Sequence, residues 1–293
     1  MMNQTPALSF PVLLRAARAA LQWRLLLLWV LLMLIPVAIL TVPAWAVLGN
    51  ALDHSVHAKA LAQQLDMLTM TDLMSLHGKN AMAFSVAGVI GLIVTLLLAP
   101  LLSAMAASAA RADGTAGFRE LVGGAVAGYL RMLRMLVWSV VPLGLAAALG
   151  GMAMDAAASH ASDAITAADG QLWRWLAMGL TALLVLLAHA SLDAGRAQLA
   201  IERRRSSAVK AWWAGCRLLA RRPLHGLGIY ALIAVAGVTL AAGLAVARLN
   251  VSGASIIGLL GALLLVQLAV AVLGWMRTAR LFALMALARA DAR

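Results

Sequence analysis

The chain reads as an all-α integral membrane protein, a bundle of six transmembrane helices with both termini on the cytoplasmic side. Three observations predict this. Six apolar stretches fall at about residues 25–49, 81–106, 135–154, 173–192, 226–247 and 254–276, all free of charged residues except for Arg174 at the start of the fourth, which is charge-free from Trp175. Each is close to the roughly 20 residues that a helix needs to cross a hydrocarbon core about 30 Å thick. Hydrophobic residues make up 64% of the 293 positions and charged residues 12%, with a mean hydropathy of +0.94, whereas about a quarter of a soluble domain is charged. Finally, the cations alternate in density between the stretches, as an oriented membrane protein requires.

Cations are dense in four segments: three lie before the first stretch, four within 107–134, eight within 193–225 and four after residue 276. The intervening segments hold two, one (Arg174, at the edge of the fourth stretch) and one. Nineteen against four is the bias that the positive-inside rule describes, with the dense side facing an anionic cytoplasmic leaflet. The net charge of +12 thus answers to lipid headgroups, and we expect no nucleic-acid partner. The gaps between stretches are too short for a separate soluble core, so residues 1–293 form a single polytopic membrane domain.

The elements follow in order. Residues 10–24 set Arg15, Arg18 and Arg24 among Leu13, Leu14, Leu21 and Trp23, an amphipathic helix for the headgroup plane. The first span ends in Pro43-Ala44-Trp45-Ala46, which looks like a signal-peptide cleavage site. Its apolar run is longer than a signal h-region, so we read it as a retained span. The outer loop 50–80 carries Leu61, Leu65, Leu68, Leu73 and Leu76 at helical spacing. Residues 118–134 (Leu121, Tyr129, Leu130 and Met132 with Arg131 and Arg134) form a second interfacial helix. Residues 155–172 are small and acidic and are expected to be a mobile loop. Residues 206–222 form a third interfacial helix, with Val209, Trp212, Trp213 and Leu218 beside Lys210, Arg217, Arg221 and Arg222. Each interfacial helix precedes an outward span and a return span, an order that suggests three helix-plus-hairpin units about a hundred residues apart.

Apart from Arg174 at the edge of the fourth, no Asp, Glu, Lys or Arg lies within the six stretches. Intramembrane charges mark proton relays and ion routes, so their lack counts against proton-coupled transport. Pro36, Pro43, Pro100 and Pro142 kink-prone positions fall only in the first three spans. Small residues at 88, 91, 146, 147, 150, 151, 237, 258 and 261 allow close helix approach.

One polar group reaches the membrane's inner edge. His189 and Asp193 are at i,i+4 and Asp193 and Arg196 at i,i+3, so one helix face holds all three, with Glu202 following. At the membrane's inner edge such a cluster could gate, bind a headgroup phosphate or couple to a partner, but the reading favoured is an ion pair that neutralises a buried helix end and anchors the loop. Arg203, Arg204, Arg205, Lys210, Arg217, Arg221 and Arg222 are candidate contacts for anionic lipid. Asp53, His54, His57, Asp66, Asp72 and His77, with Met67, Met70 and Met74, offer metal-type side chains in the outer loop. Their spacing forms no recognised site, and no metal, cofactor or catalytic motif is expected. The single Cys216 excludes an internal disulfide. Its basic neighbours could lower the thiol pKa, but it reads first as a small apolar helix residue.

The run Asp193-x-x-Arg196-x-x-Leu199-x-x-Glu202-x-Arg204-Arg205-Ser206, followed by Arg221-Arg222-Pro223-Leu224 and Gly228-x-Tyr230, resembles a segment of uncharacterised bacterial polytopic inner-membrane proteins. The helix-plus-hairpin order is also similar to membrane domains found beside glycerophosphodiester phosphodiesterases. The resemblance implies a bacterial inner-membrane location and carries over no catalytic residue. The sequence therefore favours a non-enzymatic scaffold or accessory component of a membrane complex, with an unidentified membrane-protein partner. A permease or channel-like subunit and a lipid-handling enzyme stand behind it.

Overall fold

Helices dictated by apolar runs should extend past those runs wherever nothing stops them, and here they do. The computed structural model describes residues 10–52, 71, 74–76, 78–112, 114–163, 166–202, 207–251 and 255–291, and every regular element among them is helical. In chain order these are α1 (Phe10–Ala19), α2 (Trp23–Leu52), α3 (Ala81–Ala109), α4 (Phe118–Trp138), α5 (Val140–Asp163), α6 (Ala167–Ile201), α7 (Ala208–Arg221), α8 (Pro223–Leu249) and α9 (Ile256–Asp291). Six of the helical segments are long and apolar enough to cross a membrane, in agreement with the six stretches read from the sequence.

Helices α1, α4 and α7 each lead into a long apolar helix after a brief break. Residues 20–22 separate α1 from α2, and Ser139 separates α4 from α5. The second break has a direct cause. Pro142 has no N–H for the carbonyl of Trp138, and its ring crowds that carbonyl, so the helix is interrupted there. Pro142 then sits in the first turn of α5, where its missing donor costs little. The boundary between interfacial helix and span thus falls at Ser139 rather than at the expected Met135. Pro223 opens α8 in the same way, at its first position. Helices α2 and α3 run on through Pro36, Pro43 and Pro100.

The mobile loop expected over 155–172 is corrected. Helix α5 continues to Asp163 and α6 begins at Ala167, with the Thr166 hydroxyl accepting from the Asp169 backbone N–H at 3.3 Å. His160 packs edge-on against Trp173 at 4.9 Å. Alanine-rich sequence favours helix whether or not it is polar, and a Thr cap with Asp three residues on supplies the start signal. Between α2 and α3, residues 74–76 and 78–79 are helical. Residues 53–70 lie outside the described residues.

Return helices α3, α6 and α9 are 29, 35 and 36 residues long, well beyond the about 20 that a bilayer needs. Their C-terminal parts carry the core. Burial is concentrated at Pro100–Ala109 of α3, Ala188–Ala200 of α6 and Thr278–Ala288 of α9. Over the most apolar windows of the six spans only 6–22% of residues are buried within the chain. An apolar surface of that extent is not left facing water, and lipid is its fitting solvent.

The short helices pack on these overshooting ends. Helix α4 lies on α3, α7 on α6, and α1 on α9, while α9 packs on α6 and touches α3. The short helices bury small residues at these contacts, together with Leu121, Met132 and Met135 of α4 and Leu218 and Leu219 of α7. In α7, Ala208, Ala211 and Gly215 are buried, whereas Val209 and Trp213 are exposed. Gly215 and Gly195 mark a close backbone-to-backbone crossing: a Cβ at Gly215 would lie 2.5 Å from the Gly195 nitrogen and 2.7 Å from the Ala194 carbonyl carbon. Trp212 Nε1 donates to the Ser191 hydroxyl at 3.0 Å across the same contact, and Trp275 Nε1 donates to the Ala17 carbonyl at 2.9 Å to hold α1.

Candidate functional site

The overshooting ends of α6 and α9 bring the polar residues of the chain together. Asp193 on α6 is buried and forms two ion pairs: Arg196 Nη1 donates to its Oδ1 at 2.5 Å, and Arg280 Nη2 of α9 lies 3.7 Å from its Oδ2. Both guanidinium groups are only 12% exposed. Arg280 also donates from Nη1 to the Tyr230 hydroxyl of α8 at 2.7 Å and stacks over that ring at 4.6 Å. Its Nε is buried with no hydrogen-bond partner among the described residues.

One turn before Arg280, Arg277 feels the charges of Asp193, Arg196 and Arg280. Among the described residues it makes no hydrogen bond or ion pair. The cluster therefore holds three guanidinium groups against one carboxylate. Charges at this depth are costly unless paired, so the surplus is the unusual feature of the site. His189 lies on the same face of α6. Its Nδ1 is 3.0 Å from the Val185 carbonyl, which can only accept, so Nδ1 is the donor in that contact.

These groups form one end of a cavity of about 550 Å³. Its other walls are apolar and come from α2 (Trp29, Met33, Pro36, Val37, Leu40), α3 (Thr95, Ala99, Leu102) and α9 (Val270, Leu273, Met276). Val37, Leu40 and Leu273 are exposed, so the cavity opens on the apolar flank of the bundle. Gly274 lets the Trp29 ring lie directly on α9, where a Cβ would meet the ring at 2.9 Å. A larger hollow of about 900 Å³ between α2 and α3 offers only Lys79 and Asn80 as polar groups, and so has no comparable chemistry.

The sequence-derived residues divide among several places. His189, Asp193 and Arg196 are brought together, as their spacing predicted. Glu202 is not among the residues lining the cavity. It follows α6, where its carbonyl and that of Leu199 both accept from Arg131 Nη2 at 2.6 Å and the Ala200 carbonyl accepts from Arg111 at 3.1 Å. Cationic side chains thus satisfy a helix end whose carbonyls lack intrahelical partners. Of the candidate lipid contacts, Lys210 and Arg217 are exposed on α7. Arg221 and Arg222 both pair with Asp291 at 3.5 Å. Arg203, Arg204 and Arg205 lie outside the described residues. So does the outer-loop metal set, apart from Met74, which is exposed.

Sequence reasoning missed Arg277, Arg280 and Tyr230. The available signal was Asp193 itself, because a carboxylate expected to be buried needs a cation from another element. Arg277 and Arg280 follow an apolar run at i,i+3 and were the ready candidates. Cys216 also departs from the effect its basic neighbours suggested: partial burial pushes its thiol up, against a hydrogen bond from Ser191.

Comparison with protein-family models, with curated proteins and with solved structures finds no match to this chain.

Proposed function

We propose that the chain is a non-enzymatic, multi-pass component of a bacterial inner membrane, scaffolding or assisting a partner membrane protein. Both termini and the three short amphipathic helices lie on the cytoplasmic side. The cation bias between segments supports that orientation. Three helix-plus-hairpin units build the bundle, a reading supported by the recurring contact of each short helix with a return helix.

The observation that carries the non-enzymatic reading is the state of Asp193. A general acid or base must exchange a proton with substrate, yet both carboxylate oxygens of Asp193 face guanidinium groups of its own chain. His189 has its Nδ1 proton committed to its own helix. The cluster is built to hold charge in place rather than to move protons.

Purification in mild detergent with identification of co-purifying membrane proteins tests the proposal. A stoichiometric partner is the expected result, and a chain that always purifies alone contradicts it. A permease is the second reading, favoured by the cavity beside Pro36, and solute flux into protein-loaded vesicles would support it instead.

A further inference from the structure

We infer that the cavity between α2, α3, α6 and α9 is a binding site for one anionic phospholipid, with its phosphate on Arg277 and Arg280 and an acyl chain along α2 and α9. Charge, shape and depth each lead to this occupant. The polar end carries three guanidinium groups and one carboxylate, and Asp193 is already engaged by Arg196 and Arg280. Both Arg277 and Arg280 line this end; Arg277 makes no hydrogen bond or ion pair among the described residues, and the buried Nε of Arg280 has no partner among them. A guanidinium presents its donors in a fork that matches phosphate oxygens, and such charge-assisted bonds are strong where water is scarce.

The shape fits an amphiphile better than a free ion. About 550 Å³ is within the roughly 300–1,000 Å³ of small-molecule sites, and most of this wall is apolar. The cavity opens among exposed Leu40, Val37 and Leu273, the surface that acyl chains would cover. The depth agrees as well. Arg277 immediately follows the apolar run 254–276, and Asp193 immediately follows the run 173–192, so the cluster sits where hydrocarbon gives way to phosphate. This surface is distinct from the exposed Lys210 and Arg217 of α7, which would meet headgroups loosely rather than enclose one.

The inference rests on the chain being a membrane protein with this end at a leaflet surface, but it does not need the proposed partner. The test uses the full-length protein, delipidated in a neutral detergent. Its melting temperature is followed as phosphatidylglycerol, phosphatidylcholine or inorganic phosphate is added. Phosphatidylglycerol is expected to raise the melting temperature in a saturable way, while phosphatidylcholine and inorganic phosphate do so weakly or not at all. Arg277→Gln should weaken the phosphatidylglycerol response at least about tenfold, the equivalent of one charge-assisted hydrogen bond. Because Arg277 makes no hydrogen bond or ion pair among the described residues, the same variant should melt no lower than wild type without lipid. A residue with a merely structural role would not give that split.

Leu40→Trp, which fills the apolar end, should weaken the phosphatidylglycerol response while leaving the cluster intact. Arg217→Gln should change nothing. Equal responses to phosphatidylglycerol and phosphatidylcholine would overturn the inference, as would an unaltered response in Arg277→Gln or Leu40→Trp. A full response to inorganic phosphate alone would assign the site to a soluble anion and overturn the lipid. Failure on any of these counts leaves the proposed accessory role standing, because that role is tested by co-purification.

Discussion

Replacing Asp193 by Asn removes one negative charge and almost no volume, and so isolates the electrostatic part of the cluster. In the native chain Asp193 is the counter-charge for Arg196 and Arg280, both 12% exposed. Without it three guanidinium groups, Arg277 included, face one another with no anion. Removing one partner of a buried pair costs about 3–5 kcal/mol, because the remaining charge stays desolvated. Marginal stability of about 5–15 kcal/mol makes that a large fraction of the whole. At roughly 2–3 °C per kcal/mol for a chain of this size, the melting temperature in neutral detergent should fall by about 6–15 °C. The assay is the melting curve of Asp193→Asn against wild type, with Asp193→Asn/Arg280→Met as the second arm. Removing a surplus cation should recover part of the loss. A single variant melting within about 2 °C of wild type would refute the account of the cluster, and so would a double variant less stable than the single.

Other consequences are read at separate places in the fold. Gly215→Ala puts a Cβ 2.5 Å from the Gly195 nitrogen, where neither backbone can yield. It should cost about 1–3 kcal/mol as overpacking, whereas Gly88→Ala, with nothing within 4 Å, should be neutral in the same melting assay. Arg131→Ala removes donors from the Leu199 and Glu202 carbonyls and should raise hydrogen exchange at the end of α6, with about 1–3 kcal/mol lost. The upward-shifted thiol of Cys216 holds less thiolate at pH 7.5 than a free cysteine. Its alkylation should therefore be slower than that of an exposed cysteine introduced by Lys210→Cys, and should continue to accelerate above the ordinary thiol range.

The sequence made the spans legible because a bilayer imposes one length and one polarity on each of them. It made the short helices legible because α1, α4 and α7 alternate cations with large apolar residues. It was misleading over 155–172, where small acidic residues suggested a loop. There alanine propensity and the Thr166 cap extend α5 and α6 almost to each other. Half of the charged cluster was legible, since His189, Asp193 and Arg196 lie within two turns of one helix. The other half was hidden, because Arg280 and Tyr230 reach Asp193 only through packing of α8 and α9 onto α6, which no local pattern encodes. The apolar walls from α2 and α3 were hidden for the same reason. Gly195 and Gly215 went unnoticed beside the glycines of the spans, because their crossing lies outside the membrane stretches.

The most direct test of the account is the side of the membrane on which the charged end lies. Reporter fusions at residues 52, 163, 250 and 291 would determine it. The account predicts a cytoplasmic signal at 291 and external signals at 52, 163 and 250. A cytoplasmic signal at 163 and 250 with an external one at 291 would contradict it, by placing the arginine cluster and the three short helices on the wrong leaflet.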